Sequence, residues 1–181
     1  LGLGNSLKGS GFAELAEAVG ALPNELAITG NINFDDFGAY ADIYNGYAGL
    51  NWSNFYALNG STYAPGSGYE RGATSGSNVA FNGFGSPATF SAPGTETFNF
   101  QSVNLTGAWG NIGVGINGYL DGNLVYNSNL SSISNSSPTA VNLNWNNIDQ
   151  VTFSSWGNSR SHIAFDNIVL GSPAQNIYPG T

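Results

Sequence analysis

The sequence predicts an all-β domain, a two-sheet antiparallel sandwich of jelly-roll type with one short N-terminal helix. From residue 77 onward, short runs of alternating apolar and polar residues are separated by turn residues about every 8–12 positions, which is typical of such sandwiches. Charged residues make up only 8% of the 181 residues, so Asn, Ser, Thr, Gly and Tyr must cover the surface. That composition is typical of extracellular β-proteins.

The N-terminal residues 1–24 are predicted to form an arm and a short helix. Residues 1–11 are rich in Gly and Ser, and Ser10 is suited to cap a helix over residues 10–22, where apolar residues recur at helical spacing. Pro23 ends this helix. The sandwich is predicted over residues 25–170, and residues 171–181 form a C-terminal extension with two prolines.

Strand periodicity begins with Leu26–Phe34 and is then interrupted by Tyr40–Tyr69, a Tyr- and Gly-rich stretch predicted to hold two short strands. Asp121-Gly122 predicts a type I′ hairpin turn. Residues 131–138 are predicted to be a polar loop. The regular strands are predicted at Asn78–Asn82, Ala88–Ser91, Thr97–Trp109, Ile112–Leu120, Leu124–Ser128, Thr139–Trp145, Ile148–Ser154 and His162–Leu170. A jelly roll closes with its last strand beside its first.

Charge limits the partners of this chain. The formal net charge is −8, and only Lys8, Arg71 and Arg160 are positive. Nucleic-acid binding requires clustered cations that displace counterions, so the sequence excludes it. No apolar run is long enough to predict a membrane span. The chain has no Cys and no Met, not even at position 1, and together with the low charge this favours a secreted protein whose leader has been removed.

Four stretches carry a resemblance to a known family: FDDF at 34–37, YAGLNWSNFYALNG at 47–60, SGSNVAFNG at 75–83, and VTFSS with HIAFDNIVL within 151–170. Together they resemble a family of secreted, mostly uncharacterised β-sandwich proteins of fungi and of bacterial exported proteins of the PEP-CTERM sorting type. An acidic residue in the final strand is also distantly similar to jelly-roll carbohydrate-binding modules. In those modules such an Asp helps to hold a structural calcium ion.

The acidic residues of the first and last strands are candidate calcium ligands. Strand alternation places Asp36 on the face of Ile32 and Phe34, and Asp166 on the face of Ala164 and Ile168. A carboxylate on an apolar face is costly unless it is paired or metal-bound. With the two strands adjacent, one calcium ion is predicted to be shared by Asp35, Asp36, Asp166 and Asn167. Alternatively, Asp36 caps a turn and Asp166 accepts backbone N–H bonds at a bulge.

Aromatic residues are the candidate ligand contacts. Sugars bind by stacking C–H faces on Tyr or Trp, while nearby polar groups bond their hydroxyls. The alternative is that these rings belong to the core beneath long loops. The predicted contacts are Tyr40, Tyr44, Tyr47, Tyr56, Tyr63, Tyr69 and Trp156.

No catalytic residue is predicted. His162 is the only histidine, and it lies about 13 Å along one strand from Asp166. No G-x-S-x-G motif occurs. The sequence therefore predicts an extracellular, non-catalytic sandwich that binds glycan or coats a cell or matrix surface. The alternatives are a structural subunit of an extracellular fibre or matrix, which assembles through the N-terminal arm, and a polysaccharide-active enzyme.

Overall fold

A computed structural model describes residues 27–173, so the predicted N-terminal helix and most of the C-terminal extension lie outside the described residues. Residues 27–173 form twelve strands in two antiparallel sheets, which confirms the predicted sandwich. The strands are β1 (Gly30–Ile32), β2 (Tyr40–Asp42), β3 (Asn51–Ser53), β4 (Phe55–Asn59), β5 (Asn78–Asn82), β6 (Ala88–Ser91), β7 (Phe98–Gly107), β8 (Ile112–Leu120), β9 (Asn123–Ile133), β10 (Thr139–Ile148), β11 (Gln150–Trp156) and β12 (Ile163–Gly171).

The two sheets divide the strands unevenly. The seven-stranded sheet has the order β10-β7-β12-β5-β4-β2, with β1 also paired to β12. The five-stranded sheet has the order β3-β6-β11-β8-β9. β1 and β12 pair antiparallel, with Gly30 opposite Leu170 and Ile32 opposite Ile168. The first and last strands are therefore neighbours, as the jelly-roll prediction required.

The β8–β9 hairpin follows the sequence prediction at its turn and departs from it at its far end. Asp121 and Gly122 both have positive φ, 50° and 75°, as the type I′ turn requires. The polar loop predicted at residues 131–138 is wrong in its first residues. β9 continues to Ile133, which still pairs with Ile112 of β8.

The main core lies between the sheets and is strongly aromatic. Phe34, Phe90, Phe100, Phe153 and Phe165 are fully buried there. Burying one such ring contributes about 1.5–3 kcal/mol. Trp52 and Phe55 also belong to this core, which agrees with the alternative interpretation of the aromatic stretch.

Two short helices, α1 (Gly60–Tyr63) and α2 (Gly68–Gly72), cover part of the outer face of the seven-stranded sheet. The approach is close, because a Cβ atom on Gly68 would collide with the carbonyl oxygen of Gly107. A second apolar cluster forms beneath α2, around Tyr69, Phe81 and Ala164. Within the described range, no helix is long and apolar enough to cross a membrane.

Candidate functional site

An exposed tryptophan lies on the outer face of the five-stranded sheet. Trp156 is the last residue of β11 and pairs with Gly113 of β8, so it belongs to the sheet. A Cβ atom on Gly113 would collide with the indole Cε2 and Nε1 atoms, and one on Gly115 would lie 3.4 Å from Cζ3. The indole therefore extends along β8 over two successive outward positions that carry no side chain. It is 46% exposed, which leaves aromatic surface open to solvent.

Polar groups converge beside this indole. The Cβ position of Gly115 lies 2.8 Å from Ser154 Oγ and 3.3 Å from Asn129 Oδ1. The Asn129 amide donates to Asn127 Oδ1 at 3.0 Å, and the Asn127 amide donates to Asn117 Oδ1 at 2.6 Å. Among residues 27–173, neither Ser154 Oγ nor Asn129 Oδ1 has a hydrogen-bond partner. We call Trp156, Ser154, Asn117, Asn127 and Asn129 the Trp156 platform.

The platform carries no formal charge, and neither does the sheet beneath it. None of the five strands of this sheet contains Asp, Glu, Lys, Arg or His. The inward residues Val114 and Ile116 are fully buried, and they alternate with the outward Gly113, Gly115 and Asn117. Sequence reasoning selected Trp156 but missed its neighbours. The available signal was the alternation of two glycines in β8, since glycine inside a strand often marks a close approach.

Three of the predicted tyrosines form a second exposed aromatic surface, on the outer face of the seven-stranded sheet. The centroids of Tyr40 and Tyr56 are 6.2 Å apart with an interplanar angle of 29°, and those of Tyr40 and Tyr63 are 6.2 Å apart at 30°. Tyr40 and Tyr63 are 53% and 56% exposed, and Tyr56 is half-buried. We call Tyr40, Tyr56 and Tyr63 the tyrosine strip.

Asp42 supplies the acidic group nearest to the tyrosine strip. It lies opposite Tyr56 in the β2–β4 register and is exposed. Partial burial and, secondly, the Asp42 carboxylate raise the pKa of Tyr40 above its ordinary value. The strip therefore combines near-parallel phenol rings with a carboxylate.

Tyr44 and Tyr47 lie elsewhere, at a cleft of about 530 Å³ between residues 27–33 and the turn at residues 44–49. Tyr44 is 62% exposed, whereas Tyr47 is half-buried and packs on Phe37. Burial and, secondly, the Asp36 carboxylate raise the pKa of Tyr47 to about 12. The predicted aromatic contacts therefore do not form one site.

Tyr69 is a correction to the sequence prediction, because its ring is only 1% exposed and cannot stack on a ligand. Its hydroxyl lies 2.6 Å from His162 Nδ1. Burial raises the pKa of Tyr69, and burial followed by the Arg160 charge lowers the pKa of His162. Both residues are therefore neutral near pH 7, and the tautomer of His162 sets which of the two groups donates the hydrogen bond.

Asp166 accepts hydrogen bonds from a loop distant in sequence. Its Oδ2 accepts from the backbone N–H of Thr74 at 2.7 Å and that of Ser75 at 2.8 Å, and also from the Thr74 hydroxyl at 2.9 Å. Its Oδ1 accepts from the Asn167 N–H at 2.8 Å. Burial raises the pKa of Asp166, and these hydrogen bonds lower it in part.

A bulge explains why Asp166 lies on the outer face of the seven-stranded sheet. Asn167 has a φ of 51°, and the pairing with β7 shifts after Asp166. Phe165 and Ile168 consequently both enter the core, so the predicted alternation that placed Asp166 with Ile168 is wrong. The alternative interpretation is confirmed for Asp166, which accepts backbone N–H bonds at a bulge, but the turn cap predicted for Asp36 is not among the hydrogen bonds of residues 27–173.

Of the other predicted calcium ligands, Asn167 bonds the loop residues that also bond Asp166, whereas Asp35 bonds different ones. Asp35 Oδ1 accepts the N–H groups of Ser77 and Asn78 at 3.1 and 3.2 Å, at the other end of the same loop. Asp36 is exposed and lines the cleft. Asn167 bonds Asn31 and Thr74. In the part of the chain that the structure describes, no three His, Cys, Asp or Glu residues cluster as metal ligands. Calcium binding stays a prediction.

Comparisons with known proteins identify structural likeness only. No family model and no curated protein matches this sequence. The fold is similar to TmCBM61 in complex with beta-1,4-galactotriose, with a TM-score of 0.41, 12% identity, and coverage of 77% of this chain and 94% of that one. It is also similar to a Streptococcus pneumoniae fucose binding module, with a TM-score of 0.38, 13% identity, and coverage of 77% and 96%. At this level of similarity, the two modules do not indicate the ligand of this chain.

Proposed function

We propose that this chain is an extracellular, non-catalytic protein that binds neutral glycans on the Trp156 platform. One observation carries the proposal. The Trp156 indole lies over Gly113 and Gly115, and at the edge of its exposed ring Ser154 Oγ and Asn129 Oδ1 have no partner within residues 27–173. The extracellular location is supported by the low content of charged residues.

The chemistry of the platform suits a sugar. The C–H face of a pyranose stacks on an aromatic ring, and its hydroxyls both donate and accept hydrogen bonds. Asn129 Oδ1 can accept from one hydroxyl, and Ser154 Oγ can donate or accept. The uncharged sheet and the net charge of −8 favour neutral glycans over polymers of uronic acids.

The absence of carboxylate and histidine side chains from this sheet supports binding without catalysis. Glycosidases use two carboxyl groups about 5–10 Å apart. The five strands beneath the platform contain no carboxylate and no histidine. The Tyr69–His162 pair lies on the other sheet, and the Tyr69 side chain is buried, so a ligand cannot contact it.

Binding to insoluble neutral polysaccharides, measured by co-sedimentation over a panel, tests the proposal. We expect the wild-type protein to sediment with at least one polymer and Trp156→Ala to weaken that binding roughly tenfold, because one well-stacked ring contributes about 1.4 kcal/mol. Leu124→Ala is the matched control. Leu124 is an exposed apolar residue on the same sheet, about 20 Å away along β8. Unchanged binding by Trp156→Ala would contradict the platform.

A second candidate function, a self-assembling structural subunit, is favoured by β9. This eleven-residue strand pairs only with β8 among the described strands and contains no charged residue and no proline. Long, uncharged edge strands readily pair with other chains. Val125, 46% exposed on β9, provides the test. If copies pair here, light scattering will show concentration-dependent assembly that Val125→Lys abolishes, and a monomer at high concentration would contradict it.

A further inference from the structure

The tyrosine strip and the Trp156 platform lie on opposite outer faces of the sandwich. Tyr40 and Tyr56 belong to β2 and β4 of the seven-stranded sheet, whereas Trp156 ends β11 of the five-stranded sheet. We propose that the tyrosine strip is a second, independent site for neutral polysaccharide, so that one domain cross-links two polymer chains. The proposal takes its ligand class from the proposed function, but its site is separate.

The strip has the chemical groups that a polyhydroxylated ligand requires. Its rings are near-parallel with centroids 6.2 Å apart, and Tyr40 and Tyr63 are each more than half exposed, so their aromatic surface is open to a ligand. Within residues 27–173, the hydroxyls of Tyr40 and Tyr63 and the Asp42 carboxylate have no hydrogen-bond partner. The phenols can donate to and accept from sugar hydroxyls, and the carboxylate accepts from them.

Two rings of the strip, Tyr40 and Tyr56, are supported from below, which limits their reorganisation on binding. Phe81, only 6% exposed, lies beneath it and contacts Tyr40 and Tyr56 at centroid distances of 6.2 and 5.4 Å. Tyr69 also packs on Phe81, at 5.5 Å. Preorganised rings lose little conformational entropy when a ligand stacks on them.

Charge separates neutral polymers from the other candidate occupants. Asp42 is the acidic group beside the strip, and the chain carries a net charge of −8, so uronate polymers and anionic lipid surfaces are repelled. The unpartnered hydroxyls and carboxylate would be costly to bury against an apolar protein surface. A neutral polysaccharide is not repelled by the negative charge, and its hydroxyls can bond the polar groups of the strip.

The two sites face in opposite directions, and this is why one domain would bind two different polymer chains. The sheets are stacked about 10 Å apart, as in other sandwiches. A polymer segment bound along one outer face would have to bend around the sheet edge to reach the other face. Two different chains can bind without such a bend.

Agglutination separates cross-linking from simple binding. Beads coated with a neutral polysaccharide that retains the wild-type protein are mixed with wild type, with Trp156→Ala, with Tyr40→Ser/Tyr63→Ser, and with the triple variant. Of these four proteins, we expect only the wild type to agglutinate the beads. Each single-face variant should still bind them, roughly tenfold more weakly, and the triple variant should not bind. Leu124→Ala is the control, because Leu124 is 55% exposed and belongs to neither the strip nor the platform.

The outcomes distinguish the two sites. Agglutination by Tyr40→Ser/Tyr63→Ser at the wild-type level would overturn the second site and leave the platform intact. Full binding by Trp156→Ala, lost only in the tyrosine variant, would overturn the platform and the cross-linking together. Size-exclusion chromatography with light scattering provides the remaining check. A wild-type dimer that Tyr40→Ser/Tyr63→Ser converts to monomer would show that the strip binds a second copy, which also overturns the proposal.

Discussion

The indole of Trp156 occupies the space that a side chain on Gly113 would fill, directly across the β11–β8 ladder. The indole packs on the bare backbone of Gly113 with one side and leaves its other side open to solvent. It also means that the orientation of the ring can be changed without removing the ring.

The substitution Gly113→Ala tests that orientation. The new methyl group collides with Cε2 and Nε1, so the indole must lift from β8. We expect a shift in tryptophan fluorescence, a loss of glycan binding similar to that of Trp156→Ala, and a stability cost of about 1–3 kcal/mol from overpacking. Gly38→Ala is the control, because nothing lies within 4 Å of its Cβ position. Full binding by Gly113→Ala would show that the position of the ring is irrelevant.

The substitution Asp166→Ala tests the anchoring of the loop at residues 74–75. It removes the acceptor for the N–H groups of Thr74 and Ser75. We expect the free energy of unfolding to fall by about 2–3 kcal/mol in urea titrations, because several hydrogen bonds to a buried carboxylate are lost and bonds to a charged group are stronger than neutral ones. Asp36→Ala removes an exposed carboxylate and should change stability by less than about 0.5 kcal/mol. Equal effects of the two changes would contradict the anchoring role.

Chelation tests the calcium ion predicted from Asp35, Asp36, Asp166 and Asn167. An ion held there would stabilise the fold, and its removal by EDTA would lower the melting temperature. Because protein donors already bond both carboxylate oxygens of Asp166, we expect an unchanged melting temperature. A fall of several degrees, reversed by added calcium, would establish the ion.

Stability should fall in mildly acidic solution because of His162. Burial and Arg160 lower its pKa in the folded protein below the ordinary 6.5. Below pH 6.5, His162 therefore binds a proton more readily in the unfolded chain than in the folded protein. The stabilisation is therefore present above pH 6.5 and is lost as the pH falls from 6.5 toward the folded pKa.

Urea titrations of the wild type and His162→Gln at about pH 7.5 and about pH 5.5 measure this effect. His162 is the only histidine, so the variant should lose part of the pH dependence over this interval. Carboxylates are present in both proteins, and their contribution cancels in the comparison. The same change in stability for both proteins would show that His162 does not contribute.

The sequence alone determined the fold class and most strand positions, because these depend on local patterns. Alternation defined the strands, and the positive φ of Asp121 and Gly122 agrees with the type I′ turn predicted from their identity. The prediction of which side chains share a face was wrong where the backbone departs from strand alternation, as at the Asn167 bulge. A residue in the left-handed region there changes the side-chain period, which neighbouring residue types did not reveal.

Only the tertiary structure decided which aromatic residues form surfaces. Tyr63 and Tyr69 lie in the same Tyr- and Gly-rich stretch, but the packing of α2 on the seven-stranded sheet buries Tyr69 and leaves Tyr63 exposed. The partners of Asp166 are 91 and 92 residues away in the chain. Trp156 could be selected by its residue type alone. Its place over Gly113 and Gly115 depends on the register of β11 against β8, and register is a property of paired strands rather than of either strand alone.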